Sequence, residues 1–179
     1  MEFYPEIPTS SNMPMLEMMP LVCDSALVVL GKMGTGTSHL TANQKFLYTD
    51  WGFLVGEVIR NNPDSPVSAG QSITVVKAGG RLQFQGRMVY AVDDNFREFE
   101  PGGEYLLFLV YIRSTGTYLA QSSIGYVFQG PGVTQLSSDG GTKGHTVVLD
   151  HMDKDSILQT ARAAASRIKA QTACRGVVQ

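Results

Sequence analysis

The chain has 179 residues, of which 43% are hydrophobic, and this composition suits one globular domain with a substantial core rather than a disordered polypeptide. The net charge is −2, from 14 basic and 16 acidic residues without a block of like charge, so the surface lacks long-range attraction for nucleic acid or anionic lipid. The longest apolar run, residues 105–112, is too short to span a membrane.

Residues 1–20 are predicted to form an N-terminal arm and a short helix. The arm contains several prolines and no periodicity, and it lacks the basic start and continuous apolar centre of a signal peptide. Apolar residues at helical spacing begin at residue 15, although Pro20 interrupts them. Methionines cluster here, and we consider them a candidate interaction surface, including for self-association through the arm. The alternative is that they form the core-facing side of the helix. The methionines concerned are Met13, Met15, Met18 and Met19.

The pattern from residue 25 to residue 150 is typical of β-structure. A first strand is predicted over "ALVVLGKM", residues 26–33. The most informative segment is residues 46–59, where apolar side chains alternate along a stretch too long for a flat strand in so small a domain. Gly52 and Gly56 lie on its opposite face, where absent side chains let a strand bend, as in small barrels. The predicted inward face consists of Leu47, Thr49, Trp51, Phe53, Val55 and Ile59.

Further strands follow. Residues 72–80 favour a strand, and residues 81–93 favour a hairpin about Gly86. Residues 105–112 are apolar without alternation, so this strand must be covered on both faces. One or two strands over 117–129, a polar glycine-rich loop that includes residues 137–146, and a short strand over 146–150 complete the β pattern.

A C-terminal helix is predicted over residues 153–170 and is the candidate cover for the apolar strand. Ser156 and Gln159 have capping-box spacing, with Asp153 and Asp155 suited to the positive end of the helix. A narrow apolar stripe rich in alanine permits close packing on a sheet. Its members are Ile157, Ala161, Ala164, Ala165 and Ile168.

The glycine-rich stretch "GKMGTGTS", residues 31–38, partly matches a phosphate-binding loop. Gly31, Gly36 and Ser38 are in register with that motif, but Thr37 occupies the position of the essential lysine. The βαβ alternation of nucleotide hydrolases is also absent from the pattern. We therefore expect a hairpin connection between two strands and keep a degenerate phosphate loop as an alternative.

Three residues near the C-terminal helix could gather metal ligands. His145, Asp150 and His151 could approach one another on a strand, which would favour a metal-dependent hydrolase. Their spacing is not one of the tight ligand patterns, so the preferred interpretation is solvated loop and helix-cap residues. No cofactor and no catalytic residue is predicted.

The two cysteines, Cys23 and Cys174, lie near opposite ends of the chain. Free buried thiols are the preferred interpretation, and a disulfide that ties the ends together in an oxidising compartment is the alternative. The aromatic residues are predicted to lie in the barrel core. Single-stranded nucleic-acid binding through these residues is a second alternative function, which the lack of an evident basic groove makes less favoured. These aromatic residues are Phe84, Tyr90, Phe96, Tyr118 and Tyr126.

The order of segments "SALVVLGKM", "FLYTDWGFLVGEVIRNN", "GQSITVVKAGG" and "FEPGGEYLLFLVY" resembles a family of uncharacterised bacterial proteins, over about residues 25–130. That pattern is similar to an OB-like barrel of the netrin and metalloproteinase-inhibitor type, and many family members are exported. The matching residues are scaffold positions. They are Tyr48, Thr49, Asp50, Glu57, Gly102, Tyr105 and Phe108.

The resemblance implies a small antiparallel OB-like β-barrel with the C-terminal helix and the short N-terminal helix packed on it, in a protein that is exported. The zinc-chelating N-terminal cysteine and the several disulfides of the animal inhibitors are missing, so protease inhibition is not implied. We expect a non-catalytic binding module with a protein or glycan partner, and the metal-dependent or phosphate-loop enzyme is the first alternative.

Overall fold

The computed structural model describes residues 13–93, 96–129, 132–136, 153–170 and 174, with side chains described for all of these except 13–17, 122–124 and 170. The described chain is mainly β with a helix near each end, as predicted. Its elements are α1 Met13–Asp24, β1 Leu27–Leu40, β2 Leu47–Arg60, β3 Ser72–Ala78, β4 Gly80–Phe84, β5 Arg87–Ala91, β6 Glu104–Ile112, β7 Thr117–Gln129, β8 Gly132–Gln135 and α2 Lys154–Ala170.

Six strands form one sheet in the order β3-β2-β1-β6-β7-β8, and β4 and β5 form a separate two-stranded sheet. β1 pairs antiparallel with β2 and with β6, while β2 pairs with β3 and β6 with β7 in the same sense. β3 also pairs with β7, in parallel, through Val75–Tyr118 and Val76–Leu119. Backbone pairing therefore joins β1, β2, β3, β7 and β6 in a closed cycle.

β2 confirms the prediction of one long alternating strand of 14 residues. Phe53 and Val55 on the predicted inward face are fully buried, Thr49 is buried, and Trp51 is half-buried. Ile59, predicted for the same face, instead packs on the outer side with residues of both helices. The alternation is informative because one face of this strand packs on the interior of the cycle and the other does not.

β1 departs from its prediction. It continues through the glycine-rich stretch to Leu40, so the expectation that residues 31–38 form a hairpin connection is wrong. The connection to β2 is residues 41–46, where the Thr41 N–H donates to the Phe46 carbonyl at 2.9 Å. An extended strand also cannot wrap a phosphate, and no helix follows it, so the phosphate-loop alternative loses its structural basis.

The glycines of β1 make room for aromatic rings of the neighbouring strand. A Cβ on Gly31 would lie 2.8 Å from the Phe53 ring, and a Cβ on Gly36 would lie 2.8 Å from the Trp51 ring. Register shifts occur beside both glycines in the pairing of β1 with β2. The glycine pattern therefore reflects close packing of rings on backbone.

The apolar strand β6 is covered on both faces, as predicted. Leu107 and Leu109 point into the interior of the cycle, where they belong to a buried cluster with Phe53. Leu106 and Phe108 point outwards into a second buried cluster that includes residues of both helices. The absence of alternation in this strand thus follows from burial on two sides.

α2 covers the outer face with its alanine-rich stripe. Ala161 and Ala164 are fully buried in the second cluster. The N-terminal cap of α2 differs from the prediction of a capping box that begins at Ser156. The Asp153 carboxylate accepts the Ser156 N–H at 2.8 Å, so Asp153 caps the helix. This hydrogen bond lowers the pKa of Asp153.

An ion pair fixes α2 to β2. The Arg162 guanidinium donates two hydrogen bonds of 2.7 Å to the Glu57 carboxylate, and these lower the pKa of Glu57. Bidentate geometry restricts how the helix can rotate over the sheet.

α1 packs against α2 and is joined to the end of the chain. Cys23 forms a disulfide with Cys174, with their Cα atoms 5.5 Å apart, so the preferred interpretation of two free thiols is wrong. Arg60 of β2 donates to the carbonyls of Val22 and Cys23 at the C-terminal end of α1. Pro20 lies within the helix without ending it. Among the described residues, neither helix is long and apolar enough to cross a membrane.

Candidate binding groove

A groove of about 870 Å³ opens between the β1–β2 pair, the β4–β5 hairpin and the segment 98–101. This volume falls in the range of ligand-binding pockets. β1 and β2 provide one wall, which includes Thr35 and Gly36. The hairpin provides the facing wall, and Pro101 of the segment 98–101 also lines the groove. The groove lies beside the region where β3 turns into the hairpin.

The rim on the hairpin side is apolar and exposed. Met88, Tyr90 and Val92 share one side of β5 and its extension, and they expose 60%, 74% and 65% of their surfaces. All three line the groove. Large apolar side chains this exposed and this close together mark interaction sites on soluble proteins more often than scattered ones do.

The floor is aromatic. Trp51, the single tryptophan of the chain, meets Phe99 edge to face with ring centroids 5.7 Å apart. Phe99 continues the contact inwards to Tyr105, whose centroid is 5.2 Å away. The Nε1 atom of Trp51 is buried and has no hydrogen-bond partner among the described residues. The floor is thus anchored in the core and not free to collapse into the groove.

A chain of hydrogen bonds fixes the hairpin to the wall. The Arg81 N–H donates to the Ser38 hydroxyl at 3.2 Å, and the Ser38 and Thr49 hydroxyls are 2.9 Å apart. The Thr49 hydroxyl donates to the Gly79 carbonyl at 2.8 Å. Because the Thr49 hydroxyl donates to Gly79, the hydrogen bond between the two hydroxyls is donated by Ser38. Both hydroxyl protons are therefore used within the protein. These hydroxyls therefore hold the groove in shape and have no proton left for a ligand.

Two charged side chains line the groove. Glu98 pairs with the buried Lys77, at 3.4 Å between Oε1 and Nζ, whereas the Arg81 guanidinium has no ion-pair partner among the described residues. The Lys77 ammonium also lies 4.9 Å from the centre of the Phe96 ring. Within the part of the chain that the structure describes, Arg81 is therefore the cation that remains available to an anionic group in the groove.

The stability of the wall beneath Glu98 should depend on the apolar stem of Lys77 more than on its charge. We expect Lys77→Met to change the free energy of unfolding by at most about 1 kcal/mol, because methionine retains the stem and removes a costly buried charge. Lys77→Ala should cost about 2–3 kcal/mol by emptying the space under the Phe96 ring. Glu98→Gln should cost about 1 kcal/mol or less, since the Glu98 side chain is 59% exposed.

Urea denaturation of the three variants measures these differences. If Lys77→Met loses as much stability as Lys77→Ala, the charge rather than the stem stabilises this wall.

The predicted site residues have different outcomes. His145, Asp150 and His151 lie outside the described residues, as do residues 1–12 and 137–152. Within the described part of the chain, no three His, Cys, Asp or Glu side chains are close enough to hold a metal ion. Met18 is buried in the outer cluster and Met19 packs against it, so these two belong to the core rather than to an exposed surface.

The described side chains that line the groove form no catalytic constellation. His39 and Asp50 form a pair at 3.3 Å, but they alternate along their strands with Ser38 and Thr49 and so point to the opposite side of the β1–β2 pair. Among the described residues, the groove thus combines an exposed apolar rim, hydroxyls that already donate within the protein and the available guanidinium of Arg81, which is chemistry suited to binding.

Sequence reasoning missed the groove. Phe96 and Tyr118 lie in the inner buried cluster, as predicted, and Tyr126 is buried in the outer cluster instead. Tyr90 is exposed and Phe84 is only half-buried, contrary to their predictions. A scan against protein-family models and a search of curated proteins both give no match to this chain.

Proposed function

We propose that this protein is a non-catalytic binding module built on an OB-like barrel, with a protein partner bound in the groove. The closed cycle β1-β2-β3-β7-β6, with one parallel pairing between β3 and β7, supports the barrel interpretation. OB-like barrels commonly bind partners across one face and its adjoining loops, and the groove lies between such a face and the inserted hairpin.

The observation that carries this proposal is the exposed apolar rim above an aromatic floor. A protein segment can cover Met88, Tyr90 and Val92 with its own apolar side chains. A glycan would require many hydrogen bonds from the walls, but the Ser38 and Thr49 hydroxyl protons are used internally. We therefore favour a protein over a glycan.

Arg81 narrows the chemistry of that segment. It lines the groove without an ion-pair partner among the described residues, and a carboxylate of the partner would pair with it. The expected partner segment carries an acidic residue beside apolar ones, so that the carboxylate meets Arg81 while the apolar residues cover the rim.

The test is a selection of displayed random peptides on the immobilised full chain, followed by titration of the synthetic peptides. Trp51 lies in the groove and is the single tryptophan, so a tryptophan-free peptide that occupies the groove should change the emission of the protein. We expect selected peptides to combine acidic and apolar residues. Arg81→Glu should weaken their binding about tenfold or more, because a charge-assisted hydrogen bond is replaced by repulsion.

Arg113→Glu is the matched control, since Arg113 is a highly exposed arginine that does not line the groove and is paired with Asp64. It should leave peptide affinity within about twofold of the wild type. Peptides that bind equally well to Arg81→Glu, or that leave the Trp51 emission unchanged, would place the binding site elsewhere. Binding of single-stranded oligonucleotides that weakens steeply with salt would favour the nucleic-acid alternative instead.

We also propose that the protein functions in an oxidising compartment, outside the cell or in a periplasm. The proposal depends on the Cys23–Cys174 disulfide, because such bonds persist where thiols are not kept reduced. Thiol trapping and mass spectrometry of the protein from its native source test it, and two free thiols would contradict it.

A further inference from the structure

The β4–β5 hairpin has a defined turn that sets which backbone groups face outwards. Gln85 and Gly86, the two turn residues, have φ values of 49° and 77°, as in the tight turns that connect two-residue hairpins. Phe84 and Arg87 flank the turn and pair with each other. In such hairpins the flanking pair exchanges backbone hydrogen bonds, so the next residue, Met88, directs its N–H and C=O away from β4.

Tyr90 follows the same alternation and also directs its backbone groups outwards. Within the described part of the chain, β5 pairs with β4 alone, so this outer edge lacks a neighbouring strand. Natural proteins usually protect such an edge with charges, prolines or a covering element. Here the residues with outward backbone groups carry large, exposed apolar side chains instead.

We infer that the outer edge of β5 pairs with β5 of a second copy of this chain, antiparallel about a two-fold axis at Tyr90. Tyr90 of one copy then lies opposite Tyr90 of the other, and Met88 lies opposite Val92. In this register the residues with outward backbone groups face each other and can exchange hydrogen bonds. The side chains of Met88, Tyr90 and Val92 of both copies stand side by side in one continuous row on the same face of the joined hairpins.

The charged residues beside this edge also favour a second copy of the chain as the partner of β5. In the same register Arg87 of one copy lies opposite Asp93 of the other, and the two-fold axis repeats this contact. The segment is therefore self-complementary in hydrogen bonding, in apolar side chains and in charge. A register shifted by two residues would lose the match of Arg87 with Asp93, so the axis at Tyr90 is the preferred one.

Sedimentation equilibrium of the full chain over a range of concentrations tests the inference. We expect the wild type to approach twice the 19.4 kDa mass of one chain. Tyr90→Lys and Tyr90→Asp each place like charges opposite each other on the axis, and each should raise the dimer dissociation constant about tenfold or more. An equimolar mixture of the two variants should recover the dimer, because lysine then faces aspartate.

Leu54→Lys is the matched control, since Leu54 is an exposed apolar residue of β2, at 51%. It should leave the dimer unchanged, and thermal melts should show that all variants are folded. A monomeric wild type, or a dimer that Tyr90→Lys leaves intact, overturns the inference. A mixture that stays monomeric overturns the register. Peptide binding in the groove is read from Trp51 emission, so failure of the proposed function and failure of the dimer remain distinguishable.

Discussion

Gly31→Ala is expected to destabilise the protein by about 3 kcal/mol, at the upper end of the usual cost of overpacking. A Cβ at this position would lie 2.2 Å from the Leu54 carbonyl oxygen and 2.8 Å from the Phe53 ring. The oxygen belongs to the backbone of the paired strand, so a rotamer change cannot relieve the contact. β1 and β2 must separate locally, which weakens their pairing and displaces a ring of the inner core.

Gly52→Ala is the matched control for this prediction. Gly52 lies in the same strand pair, but a Cβ there would meet only the Thr35 carbonyl, at 4.0 Å. Its backbone φ is not in the left-handed region, so alanine is tolerated and should leave stability equal or slightly higher. Urea denaturation of both variants measures the difference. Equal stability of the two variants would show that the close approach at Gly31 has no energetic consequence.

The spacing of apolar residues along the chain predicted those elements whose buried faces are set by their own sequence. The alternation of β2, the continuous apolar run of β6 and the alanine stripe of α2 each report which side chains meet a core. The sequence even required a cover for the outer face of β6, because both faces of that strand are apolar. These features depend on residues close together in the chain, and the structure confirms them.

The glycine-rich part of β1 could not be predicted in the same way. Gly31 and Gly36 are needed because rings of Phe53 and Trp51 lie against them, and those rings come from a different strand. In isolation the same letters favour a turn. The physical reason for each glycine is thus a non-local contact that the segment itself does not contain.

The groove could not be predicted from the sequence for a related reason. Met88, Tyr90 and Val92 alternate as a buried strand would, and alternation says nothing about whether anything covers the apolar face. They are exposed because β4 and β5 leave the main sheet and form their own hairpin. The available charge of Arg81 likewise depends on which acidic residues the fold brings near it.

The disulfide is the second feature with a large expected effect. Cys23 ends the segment of α1 that packs near α2, and Cys174 follows α2, at a sequence separation of 151 residues. Closing so long a segment restricts the unfolded chain strongly. Within the folded state the same bond holds the two helices over the outward side chains Leu106 and Phe108.

Replacing both cysteines by alanine should therefore lower the free energy of unfolding by about 2–4 kcal/mol and the melting temperature by roughly 10 °C. The strands of the cycle pair with one another independently of the disulfide, so they should remain folded while the helices, which lose their covalent link, loosen. Hydrogen exchange should then rise first in α1 and α2.

Dithiothreitol should lower the melting temperature of the wild type by a similar amount and leave the double variant unchanged. Two reactive thiols in the denatured, unreduced wild type would show that the bond does not form, and a wild type whose stability is insensitive to reduction would show that the helices are held by packing alone.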